Sequence, residues 1–218
     1  MNGQSAGKSF AYILGVYLGD GCVTHQTNRL TKVFKMNTID YDFATTVQNN
    51  ISELGYKCSI NKYFNIKYTQ GFIYHLGAYS CKDLCNQLVE DTKSKTIIPK
   101  YVFEWNIELK KHFIAGLMDS DGFMSHNRNR NSYIMGYKKT SAWVPDFYRL
   151  ITSIGILCSG IRKDYYNKND KTKFAWLFNI KIKSWIKNNM FFNISRKNDR
   201  VDMYAKTILN DYTLETPT

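Results

Sequence analysis

Two apolar runs, 101 positions apart, dominate the hydrophobic pattern of the chain. Residues 13–21 read ILGVYLGDG, and residues 114–122 read IAGLMDSDG. An apolar run that ends in an acidic residue and a glycine is typical of a buried helix and its stop. Each run therefore predicts a core helix, and the two helices carry the same ending.

Small residues recur at every fourth position of both runs. Gly15 and Gly19 in the first run correspond to Gly116 and Ser120 in the second. Residues four apart share one face of a helix, and small side chains on that face let two backbones approach closely. The pattern predicts that the two helices pack directly against each other.

The segments that follow each run repeat one order of elements: an extended pair, an amphipathic helix closed by glycine, a second extended pair and a helix. In the first half the predicted elements are 22–24, 32–36, 40–54, 58–64, 72–78 and 81–90. In the second half they are 123–125, 133–137, 144–154, 160–165, 174–182 and 183–189. Alternation of Ile and Lys at 179–183 extends the last strand, with the lysines on one face. The fold class is α+β, with two αββαββα halves.

Internal similarity supports a duplication. Residues 51–59 (ISELGYKCS) match 151–159 (ITSIGILCS) at an offset of 100, and 72–76 match 174–178 at an offset of 102. Three landmarks in the same order, with small drifts in offset, indicate an old duplication with loop insertions. The predicted boundaries are an N-terminal half at 1–98, a linker at 99–110 and a C-terminal half at 111–218.

The composition predicts a folded protein with a polyanionic partner. The 218 residues are 44% hydrophobic and 15% aromatic, and the net charge is +12. Disordered basic tails lack such a content of aromatic residues, and an excess of this size favours nucleic acid over a membrane or an acidic protein. The apolar run near the N-terminus is too short to cross a membrane, so no membrane partner is expected.

The cysteines indicate a reducing environment. The five cysteines are an odd number without the spacing of a disulfide framework, which favours free thiols inside a cell. We expect the cytoplasm of a bacterium or of a phage-infected cell, or an organelle. Cys81 and Cys85, near His75, lack the spacing and the second pair of a zinc site.

The acidic ends of the two runs predict metal chemistry. Asp20 and Asp121 follow the small-residue faces by one position, so packing of the helices brings both carboxylates together. Two carboxylates at two helix C-termini repel one another unless cations lie between them. Mg²⁺ binds carboxylates, carbonyls, water and phosphate oxygens, and paired metal sites stabilise the oxygens of a phosphodiester under attack.

Both runs resemble the LAGLIDADG signature, and the whole chain is similar to a two-motif, single-chain LAGLIDADG homing endonuclease. The second run matches the signature at Ala115, Gly116, Leu117, Asp119, Asp121 and Gly122. The first matches it at Gly15, Asp20 and Gly21 and departs from it at Leu14, Leu18 and Gly19. Leu18 replaces the inner Asp of the family, which does not bind metal, so the catalytic carboxylate is kept.

The resemblance implies a specific activity. The two pseudo-symmetric halves would each form a four-stranded antiparallel sheet, shaped as a saddle over the major groove and packed through the LAGLIDADG helices. Asp20 and Asp121, with the carbonyls of Gly19 and Ser120, would bind two or three Mg²⁺ ions. A monomer would then hydrolyse both strands of a long asymmetric DNA site and leave 3′ overhangs.

The family also places a basic residue near each metal site to stabilise charge on the phosphate. Lys95 follows Asp20 by 75 residues, and Lys197 follows Asp121 by 76. This equivalent placement in the two copies identifies them as the candidate pair, with Lys93 and Arg196 as the neighbouring alternatives.

Groove contacts are expected from polar residues on or beside the predicted strands, because Arg and Lys read guanine while Asn and Gln read adenine. Many of them would touch only phosphates. In the first half the candidates are Gln26, Asn28, Arg29, Lys32, Lys35, Lys57, Lys62 and Lys67. In the second half they are Asn127, Arg128, Asn129, Arg130, Lys138, Lys139, Arg162, Lys163, Lys173, Lys181 and Lys183.

Three alternatives share the fold. An RNA-binding intron maturase would keep the saddle and its basic face, but retention of both acids and both lysines favours the nuclease. A LAGLIDADG-like transcription factor would add a helix-turn-helix domain, whereas here the duplicated core leaves only a short tail. An endonuclease inside an intein is not expected, because splicing segments would flank the core.

Overall fold

A computed structural model describes residues 3–25, 32–65, 71–127, 132–167 and 170–213. The first half contains α1 (Gly3–Leu18), β1 (Cys22–His25), β2 (Lys32–Thr38), α2 (Tyr41–Glu53), β3 (Cys58–Phe64), β4 (Phe72–Ala78) and α3 (Lys82–Asp91). The connection contains α4 (Tyr101–Glu104). The second half contains α5 (Ile107–Ser120), β5 (Gly122–Asn127), β6 (Ser132–Lys139), α6 (Val144–Ser153), β7 (Arg162–Asn167), β8 (Asp170–Ile180), α7 (Ile182–Lys187) and α8 (Ser195–Thr213).

The two halves have the same topology. Each forms a four-stranded antiparallel sheet, in the order β1-β2-β4-β3 in the first half and β5-β6-β8-β7 in the second. Cys22 pairs with Lys35 in the first sheet. Phe123 and Gly136, each 101 positions later in the chain, form the equivalent pair in the second sheet. The predicted α+β class with two αββαββα halves is confirmed.

Helices α1 and α5 pack backbone against backbone at the centre of the molecule. A Cβ atom on Gly15 would lie 2.3 Å from the Phe113 carbonyl oxygen, and one on Gly116 would lie 2.3 Å from that of Tyr12. Real Cβ atoms do not approach oxygen so closely, so both positions require glycine. The direct contact predicted from the spacing of small residues is therefore observed.

One face of each sheet covers the hydrophobic core and the other is open. In the first half Phe34, Met36 and Leu76 are buried under α2 and α3, and in the second half Tyr137 and Phe178 are buried under α6. Because side chains alternate along a strand, the residues between these core positions point to the opposite, open face. The open face of the first sheet lies beside the end of α1, since Asp20 lines one cavity with Lys35, Asn37 and His75.

The structure corrects two expectations about the C-terminal part of the chain. The strand expected at 174–182 ends at Ile180, because Lys181 is the N-cap of α7 and Ile182 and Trp185 are buried on one side of that helix. The short tail expected after the core is wrong, because residues 195–213 form the 19-residue helix α8. Its mean hydropathy is low, because polar and charged residues dominate its sequence.

The predicted linker contains ordered helical structure. Helix α4 lies within 99–110, and α5 begins at Ile107 after an N-cap at Asn106, whose side chain accepts a hydrogen bond from the Leu109 amide. The domain boundaries themselves stay a prediction. Within the described ranges, no helix is both long and apolar enough to span a bilayer.

Candidate metal and nucleic-acid site

The C-terminal ends of α1 and α5 meet in an acidic seam. A Cβ atom on Gly19 would lie 2.3 Å from the Cβ of Ser120 and 3.1 Å from Oδ2 of Asp121, so only glycine fits there. Asp20 is exposed at the mouth of the seam, one residue further along. The structure therefore brings together the two carboxylates that the motifs single out.

The Asp121 carboxylate is held by two side chains of its own half. Its Oδ2 accepts a hydrogen bond from the Tyr137 hydroxyl at 3.2 Å and forms an ion pair with Lys139. The Lys139 ammonium also lies 3.3 Å from the carbonyl oxygens of Leu18 and Gly19, which belong to the other half. Lys139, expected to contact the DNA groove, instead lies inside the seam and bridges the two motifs.

Asp20 has a different environment. Its carboxylate makes no hydrogen bond or ion pair with any residue in the described parts of the chain. Surrounding protein removes part of its hydration, and this desolvation, followed by the nearby Asp121 carboxylate, raises its pKa. Lys139, Lys197 and Lys95 oppose that shift. Positive charge close to Asp20 therefore favours its ionised form.

Lys95 reaches the seam from the first half. Its ammonium donates to the Gly19 carbonyl at 2.7 Å and to the Gly21 carbonyl at 3.0 Å. Desolvation and repulsion from Lys139 lower its pKa. The Trp143 indole donates to the Lys95 carbonyl at 3.1 Å, so a residue of the second half fixes the backbone that carries this lysine.

Lys197 is buried, and its side chain reaches the C-terminal end of α5 from inside the core. Its ammonium donates to the carbonyls of Met118 at 2.7 Å and Asp119 at 2.8 Å. Burial lowers its pKa to about 8, although Asp119 partly compensates. Lys95 and Lys197 are therefore both near the motifs, as expected, but they contact different positions of the two motifs.

The neighbouring alternatives occupy other places. Lys93 is exposed. Arg196 forms two hydrogen bonds with the Asp40 carboxylate, at 2.7 Å through Nε and 2.8 Å through a terminal nitrogen. This contact ties the start of α8 to the first half of the molecule.

The inner acid of the second motif has a structural role. Asp119 is buried and accepts hydrogen bonds from the Tyr12 hydroxyl at 2.8 Å and from the amide and side chain of Asn193 at 2.9–3.1 Å. Burial raises its pKa to about 6. Its counterpart Leu18 is also buried, so the loss of the acid in the first motif leaves the seam intact.

The donor set suits a divalent ion that is also bound by phosphate and water. The described residues contain no group of three or more acidic, His or Cys side chains that are placed to hold a metal ion. They do offer the Asp20 and Asp121 carboxylates and the Gly19 carbonyl, the hard oxygens that Mg²⁺ prefers. Two ammonium groups already contact Gly19 or Asp121, so these oxygens attract positive charge. The Ser120 hydroxyl donates a hydrogen bond to the Gly116 carbonyl, one turn earlier in α5, at 2.9 Å.

Cavities open on two sides of Asp20. One, of about 270 Å³, is lined by Asp119, Ser120 and Arg196 among others. The second, also about 270 Å³, is lined by Cys22, Lys35, Asn37 and His75. The seam is thus continuous with the open face of the first sheet, and a phosphate backbone lying on that face would reach the acids.

The strand registers sort the expected groove contacts by face. Those on the open faces are Lys35, Lys138, Arg162 and Lys173. Those on the helix-facing side, beyond the covered core, are Lys32, Lys62 and Lys163. Lys57 precedes β3 in a loop, and Lys181 and Lys183 lie at the start of α7. Gln26, Asn28, Arg29, Lys67, Arg128, Asn129, Arg130 and the side chain of Asn127 lie outside the described residues.

Lys62 and Lys163 each lie against an aromatic ring. The Lys62 ammonium lies 3.9 Å from the centre of the Phe72 ring, and that of Lys163 lies 4.3 Å from the centre of the Phe174 ring. Both lysines cover aromatic surface on the helix side. Sequence reasoning also missed exposed polar residues on the open faces: Ser59, Asn61, His75, Asn37 and Ser125. The signal that could have found Asn37 and His75 was the alternation of apolar and polar residues along β2 and β4.

Comparisons with known proteins agree with this architecture. No family model matches the sequence. An uncharacterized protein of Methanocaldococcus jannaschii is 26% identical over 124 residues, which cover 57% of this chain and 42% of that protein. The NrdEB alpha subunit of ribonucleoside-diphosphate reductase from Bacillus subtilis is 24% identical over 158 residues, 67% of this chain and 14% of that protein. The chain thus spans less than half the length of these curated relatives.

Solved structures define the fold. The homing endonuclease I-DmoI, in mesophilic variants, superposes with a TM-score of 0.57 and 19% identity over 84% of this chain and 94% of its own. I-WcaI bound to its DNA recognition sequence superposes with a TM-score of 0.59 and 11% identity, over 88% of this chain and 85% of its own. The N-terminal LAGLIDADG domain of WhiA superposes with a TM-score of 0.51 and 14% identity, over 84% of this chain and 81% of its own.

These similarities establish that the chain has the duplicated LAGLIDADG fold, as the resemblance of its two motifs implied. Among the proteins that share this fold with it are single-chain homing endonucleases, and I-DmoI has been solved with DNA and Mn and with DNA and Ca.

Proposed function

We propose that this protein is a site-specific, Mg²⁺-dependent double-strand DNA endonuclease of the homing type. The observation that carries the proposal is the position of Asp20 and Asp121 at one seam, with the ammonium groups of Lys95 and Lys139 in contact with it and the open face of the first sheet beside it. I-DmoI and I-WcaI, which share the fold, are DNA-binding homing endonucleases. The net charge of +12 suits a polyanionic substrate.

The residues of the seam divide the work of cleavage. Asp20, Asp121 and the Gly19 carbonyl would hold the divalent ions, with Ser120 offering its carbonyl from the second motif. The ions, when bound, would lower the pKa of water and neutralise the phosphate. Lys95 is placed to stabilise negative charge on a phosphate near Gly19, because it needs only to exchange one carbonyl for a phosphate oxygen. Lys197 supports the end of α5 from inside the core.

The two open sheets would read the DNA. Lys35 on the first sheet and Lys138, Arg162 and Lys173 on the second can bind phosphates or guanine edges. Because the side chains differ between the halves, the target is long and asymmetric. A single chain carries both acids, so the protein acts as a monomer, cleaves both strands and leaves 3′ overhangs. The five cysteines, free in the structure, suit an intracellular reducing compartment.

Cleavage of a large randomised duplex library with Mg²⁺, followed by sequencing of the ends, tests this function and finds the target together. The proposal predicts staggered ends with 3′ overhangs at one recurrent long site. The matched control is Asp121→Asn, which keeps the shape of the seam and should give no ends. DNA that is retained but uncut, or displaced by structured RNA at lower concentration, would instead support a binding protein or an intron maturase.

A further inference from the structure

The two acidic sites differ in one built-in cation. Lys139 is the last residue of β6, and the residue at the matching position of β2 is Thr38. The Lys139 ammonium pairs with Asp121 and lies 3.3 Å from the Gly19 carbonyl. Thr38 instead accepts a hydrogen bond from the Asp40 amide at 3.1 Å. Among the described residues of the first half, Lys95 contacts the carbonyls beside Asp20, but no cation pairs with the Asp20 carboxylate as Lys139 pairs with Asp121.

We propose that Lys139 acts as a fixed monovalent cation in the second acidic site, so that Asp121 is the weaker of two unequal divalent-ion positions. This inference rests on the metal-dependent function proposed above. The ammonium occupies oxygens that a divalent ion at Asp121 would also need, whereas the Asp20 carboxylate is free of partners among the described residues. A divalent ion at Asp121 must therefore displace Lys139 from the carboxylate itself, whereas an ion at Asp20 meets Lys139 only through space and at the Gly19 carbonyl.

The contacts of Lys139 hold it in this place. Its side chain is 20% exposed, and its ammonium lies 5.9 Å from the centre of the Trp143 ring. The Tyr137 hydroxyl donates to the same Asp121 oxygen at 3.2 Å. A cation that is partly buried, paired and in contact with carbonyls of both motifs competes with a second cation, because like charges a few ångströms apart repel strongly where water is partly excluded.

The test is a titration of the full chain with Mn²⁺, without DNA, in which electron paramagnetic resonance counts the free ion. Wild type should show one stronger and one weaker position. Lys139→Met, which keeps an unbranched side chain beside Trp143, should tighten the weaker position by about tenfold or more. Lys139→Arg should preserve the inequality. Lys187→Met, which removes an exposed lysine of α7, is the control for net charge.

Two further variants assign each Mn²⁺ position to one carboxylate and distinguish failure of this inference from failure of the proposed function. Asp121→Asn should abolish the weaker position together with any effect of Lys139→Met, and Asp20→Asn should abolish the stronger one. Equal affinity changes in Lys139→Met and Lys187→Met, or loss of the weaker position in Asp20→Asn, would overturn the inference. If Mn²⁺ binding is the same in wild type and in both Asp variants, the metal site of the proposed function fails instead.

Discussion

The burial of Lys197 predicts an unusual dependence of stability on pH. Its pKa in the folded protein is about 8, lowered chiefly by burial, against about 10.5 for an ordinary lysine. The folded state thus binds this proton less tightly than the unfolded state does. The resulting penalty is fully present below pH 8, decreases as pH rises between the two pKa values, and disappears above the higher one.

The magnitude follows from the difference of about 2.5 pKa units, at about 1.4 kcal/mol for each. At pH 7 the charged side chain costs about 3 kcal/mol relative to a neutral one, and at pH 9.5 about 1.5 kcal/mol. Urea unfolding of wild type and Lys197→Met at both pH values measures the change. Between pH 7 and pH 9.5, wild type should gain about 2 kcal/mol relative to the variant. Other titrating groups cancel in this difference.

The exposed Lys187→Met is the matched control, since its stability should follow that of wild type across the same range. A difference between wild type and Lys197→Met that stays flat with pH would refute the reasoning. It would mean that the ammonium is hydrated, or that its two carbonyl partners compensate fully for burial.

Four further outcomes follow from the same contacts. Gly15→Ala should lower the free energy of unfolding in urea by about 3 kcal/mol or more. Gly7→Ala is the control and should be neutral or stabilising, because its added Cβ would lie 3.5 Å from the nearest atom, Cδ2 of Leu109. Desolvation of Asp42 is outweighed by hydrogen bonds from the amides of Ser195 and Phe43, which lower its pKa. Asp42→Asn should therefore reduce the free energy of unfolding by about 1 kcal/mol at pH 7 and by little at pH 3. Lys95→Ala should slow cleavage by about 10²-fold with little change in DNA affinity. Arg162→Ala should weaken DNA binding and reduce its salt slope by about one.

The central packing was predictable because it depends on local spacing. Gly15 and Gly19 share one face of the first helix, and Gly116 and Ser120 share one face of the second, by sequence alone. Close contact of α1 with α5 follows because these faces lack large side chains. The acidic seam follows in turn, since Asp20 and Asp121 end the two helices. Duplication of the surrounding elements could also be recognised from matched segments at nearly constant offsets.

The position of Lys139 could not be predicted in the same way. Its contacts with Asp121 and Gly19 depend on where β6 ends relative to α5 and α1, which only the assembled sheet defines. The face on which Lys62 lies could not be predicted, because β3 is exposed on both faces beyond the covered core and burial gives its alternation no direction. Helix α8 was not predicted because charged and polar residues dominate its sequence. Its start is held by contacts with Asp42 and Asp40, which are distant in sequence.

Cleavage of supercoiled plasmid carrying the selected target tests the central claim most directly. The rates of nicking and of linearisation would be measured for wild type, Asp20→Asn and Asp121→Asn at several Mg²⁺ concentrations, beside DNA affinity. The two-acid seam predicts linear product only for wild type and only with a divalent ion, while both variants keep binding DNA. Full linearisation by either variant, or by wild type in chelator, would contradict the account.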